Sequence, residues 1–166
     1  MNNIFKRQSI RKYLDKPVEK EKIELLLKAG MQAPSAANQQ PWEFLVITDK
    51  EKLQALSEMS PYAKPLADCG VAFVLLGNLE TAHFPQYWQQ DMAAAAENIL
   101  LEATDLDLGG VWLGVAPEND RMNHITRVCE LPDNIKPFCL LSIGYPDEQR
   151  TIIERYDASR VHYEKY

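Results

Sequence analysis

Seven consecutive residues in the middle of this chain, Val71-Ala72-Phe73-Val74-Leu75-Leu76-Gly77, carry no polar or charged side chain, with Gly70 just before them. A half-exposed strand would alternate apolar and polar residues. An unbroken run of this length between glycines instead predicts a strand, within Asp68 to Asn78, that is covered on both faces. Such a strand needs a sheet around it and cover on each side of that sheet. The 166 residues suffice for one domain of that kind.

The cover is readable as helices. Glu19 to Met31 places Ile23, Leu26, Leu27 and Gly30 on one stripe at helical spacing, with Lys and Glu on the other faces. Pro85 to Asp105 is expected to be the longest helix, with Met92, Ala95, Ala96, Ile99, Leu100 and Ala103 as its apolar stripe. Thr48-Asp49-Lys50-Glu51 has the spacing of a capping box and predicts a helix to about Met59. Glu118 to Glu130 is a further helix, stopped by Leu131-Pro132. Glu43 to Thr48 and Phe138 to Ile143 read as strands, and Gly109-Gly110 lead into a short extended segment, VWLG. No repeat or linker interrupts the pattern, so the expectation is one α+β domain.

Charge and cysteine usage exclude several classes. A net charge of −6 argues against a broad nucleic-acid footprint. No stretch approaches the ~20 apolar residues that span a bilayer, and MNNIFKRQSIRKY lacks the apolar core of a signal peptide. Cys69, Cys129 and Cys139 are far apart and follow no metal spacing, and His83, His124 and His162 form no ligand motif. The expectation is a cytoplasmic protein with reduced thiols, no metal site, no nucleic acid and no membrane.

Four stretches could carry chemistry. Lys6-Arg7-Gln8-Ser9-Ile10-Arg11-Lys12 gathers four cations, a hydroxyl and an amide in an acidic chain, and Arg and Ser are suited to phosphate oxygens. A solvated basic face near a chain end is the competing reading. In Ala33-Pro34-Ser35-Ala36-Ala37-Asn38-Gln39-Gln40-Pro41-Trp42, three amides offer donors and acceptors suited to a flat heterocycle, while the small residues permit close approach. A polar loop joining a helix to a strand is the alternative. Gly109-Gly110-Val111-Trp112-Leu113-Gly114 could expose backbone N–H groups through unusual φ values, or could be a helix stop followed by a strand. It is not the dinucleotide-binding GxGxxG, which occurs nowhere in the chain. The tail, with Arg155, Arg160, His162 and several tyrosines, could clamp a second phosphate or pack on a partner; a frayed terminus is the default.

Taken in order, KRQSIRKY, APSAANQQPWEFLVI, LGGVWLG, LPDNIKPFCLLSIGYP and RYDASRVHYEKY resemble the FMN-dependent nitroreductase family over nearly the whole chain, as a short member without long insertions. The resemblance implies an α+β fold with a central mixed or antiparallel sheet flanked by helices, in an interlocked homodimer with FMN at the subunit interface. Residues 1–166 would form one FMN-binding unit, with 147–166 as a tail packing on the partner. Arg7 and the C-terminal Arg160 would hold the FMN phosphate, with nearby Arg155 as the alternative to Arg160. Gln8, Ser9 and Arg11 would follow the ribityl chain and pyrimidine side. Asn38 would bond the pyrimidine edge, and Pro34, Ser35 and Ala36 would come from the second subunit. Trp112, Leu113 and Gly114 would pass the ring, one backbone N–H near its N5.

The activity implied is hydride transfer from NADH or NADPH through FMN to a nitroaromatic, quinone or related acceptor, in turn at one pocket, with no catalytic side chain assigned. A specialised flavin reaction such as dehalogenation or dehydrogenation, and a flavin-binding or storage protein without turnover, are the alternatives.

Overall fold

The computed structural model describes residues 2–166. Four strands form one antiparallel sheet: β1 (Trp42–Ile47), β2 (Val71–Asn78), β3 (Gly109–Gly114) and β4 (Ile135–Gly144), in spatial order β1-β2-β4-β3. The apolar run is β2, a central strand buried over Val71–Gly77. Its residues divide by parity, as the two-residue period of a strand requires. Val71, Phe73 and Leu75 enter one core, and Ala72, Val74 and Leu76 enter another on the opposite face.

The first core is covered by α2 (Lys20–Met31) and α5 (Trp88–Asp105). All six stripe residues of α5 are buried, as predicted, and in α2 the stripe buries Leu26 and Gly30. The second face is covered by α3 (Lys50–Ser57), α4 (Pro65–Asp68) and α6 (Asn119–Cys129). Each fully buried Leu or Phe contributes roughly 1.5–3 kcal/mol, so two closed cores on one sheet anchor its edges firmly. A four-residue helix, α1 (Asn3–Lys6), precedes the first basic cluster, and the Asn2 side chain accepts from the Ile4 N–H at its start.

Some boundaries shift from expectation. The cap of α3 is Asp49, whose carboxylate accepts from the Lys52 N–H, one residue after the expected Thr48. A carboxylate reaches the third helical N–H from there, so it displaces the weaker threonine cap. The α5 region begins with a 3-10 turn, Pro85–Tyr87. β3 starts at Gly109, so both glycines are strand residues. β4 carries an irregularity at Phe138, between the Leu75–Cys139 and Leu76–Pro137 pairs. Pro137 has no N–H to give a ladder, which suits it to that point. The irregularity turns Phe138 edge-on to both Trp88 and Trp112, at 5.8 and 5.6 Å between ring centres.

All three cysteines are free, with Cys69 and Cys139 buried. Burial pushes the Cys69 thiol up to about 12. Among the described residues no helix is long and apolar enough to cross a membrane.

Candidate functional site

After α1 the chain runs along the outer side of β3. The Ile10 N–H donates to the Gly110 carbonyl at 3.0 Å, and Ser9 forms a parallel bridge with Gly110. This contact explains the glycine pair. Among the described residues no glycine has positive φ, so unusual backbone angles are not the reason for Gly109. A Cβ there would lie 2.7 Å from the Ile10 Cβ, a distance the branched Ile10 cannot relieve by rotating. Buried Ile10 and Tyr13 therefore fasten the basic segment to the sheet, and Arg7, Gln8, Ser9 and Arg11 line up along its edge.

Two acids outside the segment hold it, Glu97 through the Arg7 guanidinium and Glu148 through the Arg11 backbone. Arg7 Nε faces Glu97 of α5 at 3.4 Å. The Arg11 N–H donates to Glu148 at 2.5 Å. That donation, aided by Arg150 and opposed by burial, holds the Glu148 carboxyl below its ordinary value.

The segment and the tail enclose space. Gln8, Ser9 and Arg11 line a cleft of about 440 Å³ with Arg150, Ile153 and Arg155. Arg7 and Gln8 line an adjoining cleft of about 770 Å³ whose other walls include Phe5, Ile152 and Arg155. Arg155 thus stands beside all four residues of the N-terminal set. Arg160 does not line either cleft; it is exposed and pairs with Asp157 at 3.2 Å.

The third predicted stretch meets the first at a cleft of about 490 Å³, lined by Arg11, Tyr62, Lys64, Val111, Trp112 and Leu113 among others. Hydrogen bonding shows which backbone groups of β3 face outward. The Gly110 carbonyl turns away from β4 to meet Ile10, and Arg121 reaches the Gly114 carbonyl from the same open side at 2.9 Å. The Val115 N–H, by contrast, turns inward to Phe138. Alternation along the strand then points the amides of Gly110, Trp112 and Gly114 to the open edge, and those of Val111 and Leu113 into the ladder. Of the three residues expected to pass a ligand, Leu113 has its amide committed to β4. Trp112 and Gly114 keep theirs available, while the Trp112 ring packs on Phe138.

The loop Ala33–Pro41 is organised differently from expectation. Gln39 does not offer its amide outward. Its Nε2 donates to Asp91 at 2.6 Å and to the Phe84 carbonyl at 3.2 Å, and its Oε1 accepts from the Phe84 N–H at 2.8 Å. The other oxygen of Asp91 accepts from the Ala36 N–H at 2.9 Å, and Ser35 Oγ accepts from the Gln40 N–H at 3.0 Å. These bonds support a backbone in which Ala37, Asn38 and Gln40 all have positive φ, at 48°, 56° and 47°. Alanine and glutamine adopt that region rarely, so surrounding bonds must enforce it. Asn38 and Gln40 are exposed, so their amides, unlike that of Gln39, are presented by the loop. Ala36 and Gln39 anchor the loop to Asp91 in the first turns of α5, whereas Arg7 meets Glu97 six residues on, about 9 Å along the axis. Within one chain the loop does not line the clefts of the basic segment.

Sequence reasoning missed Lys64 and Asp91. Lys64 lies in a proline-flanked turn with no periodic signal. Asp91 was detectable, because it occupies the stripe of Ala95 and Ile99 at i, i+4 and i+8, where an acid has no place without a partner.

An antiparallel sheet covered on both faces by helices, with cations and open backbone amides along one edge strand, defines the class as an α+β protein. This chain belongs to the nitroreductase family, whose model matches residues 4–68 and 58–145. A solved structure from Clostridium acetobutylicum, carrying the provisional name NADH oxidase, is 54% identical and superposes with a TM-score of 0.97 over 99% of this chain and 100% of that one. An FMN-dependent nitroreductase from Clostridium difficile is 33% identical, with a TM-score of 0.93 over 99% of each chain. A protein of Archaeoglobus fulgidus with the provisional name NADH dehydrogenase/NAD(P)H nitroreductase is 41% identical over 98% of this chain and 96% of its own length.

Proposed function

We propose that this protein is an FMN-dependent oxidoreductase that takes hydride from NADH or NADPH and reduces a nitroaromatic, a quinone or a related small acceptor. The observation that carries this reading is the convergence of Arg7, Gln8, Ser9, Arg11 and Arg155 on clefts beside the open edge of β3. That donor set fits FMN: cations for a phosphate, hydroxyl and amide groups for a polyol, and backbone N–H groups for a ring edge. When bound, FMN supplies a ring that accepts hydride and gives it up again.

The chain's own groups have separable tasks. Arg7 grips the phosphate together with Arg155, which stands at the same cleft, or with Arg160 if the tail rearranges. Gln8 and Ser9 meet the ribityl hydroxyls. Arg11, joined by Lys64, brings positive charge to the pyrimidine side, where negative charge develops on reduction. Trp112 or Gly114 offers a backbone N–H to the ring edge. No side chain is assigned a proton-transfer role. Donor and acceptor use one pocket in turn, which is a ping-pong scheme.

The protein acts as a homodimer, and the Pro34–Ala36 segment and Asn38 complete the site of the second protomer. The tail supports this: Ile152, Ile153, Tyr156, Tyr163 and Tyr166 are large apolar or aromatic residues exposed along one terminal segment, as a surface awaiting a partner would be. The free, largely buried thiols suit the reducing cytoplasm.

The test is spectroscopic. Protein purified with bound FMN is yellow and is bleached anaerobically by NADH or NADPH, then recoloured by an acceptor from a panel of nitroaromatics and quinones. Protein that stays yellow with either nicotinamide is a flavin store. Protein that neither contains nor binds FMN refutes the proposal.

A further inference from the structure

A carboxylate with 4% of its surface exposed sits inside the first turns of α5, on a face otherwise made of Met92, Ala95, Ala96 and Ile99. Asp91 makes no ion pair among the described residues. Its two oxygens are satisfied by the Ala36 N–H and by Gln39 Nε2. Gln39 in turn uses both ends of its amide on the backbone of Phe84, as a neighbouring strand would. One buried acid thus ties together three segments: the helix α5, the loop Ser35–Gln40 and the chain before the Pro85 turn.

Burying an unpaired carboxylate costs several kcal/mol unless donors are aimed at it, so this arrangement needs a reason. The core does not supply one, since an alanine or leucine would continue the stripe. The loop does. Three of its residues are in the left-handed region without glycine, each costing about 1–3 kcal/mol if unsupported. The Asp91 and Gln39 bonds hold the residues on either side of Ala37 and Asn38, leaving Asn38 exposed between two anchored points.

We infer that Asp91 and Gln39 form a clamp whose task is to position Asn38 for the flavin ring. Both are positioning residues; neither touches the ligand. The inference rests on the FMN reading above and adds to it the two groups that make the loop's geometry. The clamp acts at the ring end of the flavin only, because Asn38, the group it positions, is assigned to the ring and the arginines to the phosphate.

Flavin-free protein is titrated with FMN and with riboflavin, which lacks the phosphate. Asp91→Asn and Gln39→Met each weaken both flavins by the same factor, about tenfold or more, as expected for loss of one charge-assisted hydrogen bond. The double variant is no weaker than the worse single variant, because either change opens the same clamp. Arg7→Ala, the control, weakens FMN selectively. Melting of the flavin-free proteins is followed in parallel. Should Asp91→Asn not fold, half-buried Gln39 tests the clamp alone. A folded Gln39→Met protein with wild-type affinity for both flavins overturns the clamp, as does strict additivity in a folded double variant. Wild-type protein that binds neither flavin overturns the FMN reading instead, so the two failures are distinguishable.

Discussion

The hydroxyl of Tyr13 lies 2.7 Å from the carbonyl oxygen of Ile10, a bond within the N-terminal segment that closes its turn. The same hydroxyl lies 2.9 Å from the Ser142 carbonyl and 2.8 Å from Ser142 Oγ on β4. Both carbonyls can only accept, and Tyr13 has one proton, so the Ser142 hydroxyl donates to Tyr13. Burial pushes the Tyr13 hydroxyl far above its ordinary value, which keeps it protonated as a donor. Tyr13→Phe leaves buried polar groups without this partner and is expected to cost about 1–3 kcal/mol. Urea unfolding of the flavin-free protein measures the loss. A change below 0.5 kcal/mol, taken as roughly the lower bound for one hydrogen bond, would sink the account.

The arginine prediction separates the ends of the flavin. Arg155→Ala is expected to weaken FMN by roughly 10- to 150-fold, from about 1.5–3 kcal/mol for a charge-assisted bond, with riboflavin little affected. Arg160→Ala should be nearly silent if the tail keeps its present path. Parallel titrations decide between them: a reversed pattern assigns the phosphate to Arg160.

Asn38 offers a contrast with Gln39. Its side chain is exposed and makes no bond within its own chain, so Asn38→Ala should cost only the roughly 1 kcal/mol of placing alanine at a φ of 56°. FMN affinity should still fall by roughly 5- to 150-fold, from about 1–3 kcal/mol for an unpaired polar edge. Equal flavin retention by variant and wild type would show that Asn38 faces elsewhere.

Gly109→Ala forces a Cβ against Ile10 at 2.7 Å. Overpacking of this kind typically costs about 1–3 kcal/mol. The affected contact is the one that seats the basic segment, so FMN binding should weaken along with stability. A variant that retains both would mean that the strand edge can shift without cost.

Acid should loosen the same segment through Glu148. Its carboxyl titrates below the ordinary 4.5 in the folded state, chiefly because the Arg11 N–H donates to it. The stabilisation is therefore complete above pH 4.5 and disappears as pH falls through the lower folded-state value. The stability difference between wild type and Glu148→Gln should be constant at neutral pH and shrink on acidification. A difference that grows with acid would reverse the assignment.

The elements were legible in the sequence because their signals are local. Apolar continuity identified β2 as a doubly covered strand. The helical stripes identified α2 and α5 nearly to the residue, since period and burial are one fact seen from two sides. The order of motifs carried the family resemblance and placed Arg7, Gln8, Ser9, Arg11 and Asn38 among the candidate ligands. Tertiary structure decided how those residues are used. Gly109 is required by a side chain nearly 100 residues away, and Gln39 answers to Asp91 and Phe84, so no local pattern could report either. The direction of each β3 amide depends on the pairing with β4, which commits Leu113 and leaves Trp112 and Gly114 available. Arg155 and Lys64 join the clefts only because the tail and the α4 turn fold back onto the basic segment. Periodicity reads what a chain does to itself within a few residues, whereas contacts between distant residues exist only once the two cores have closed.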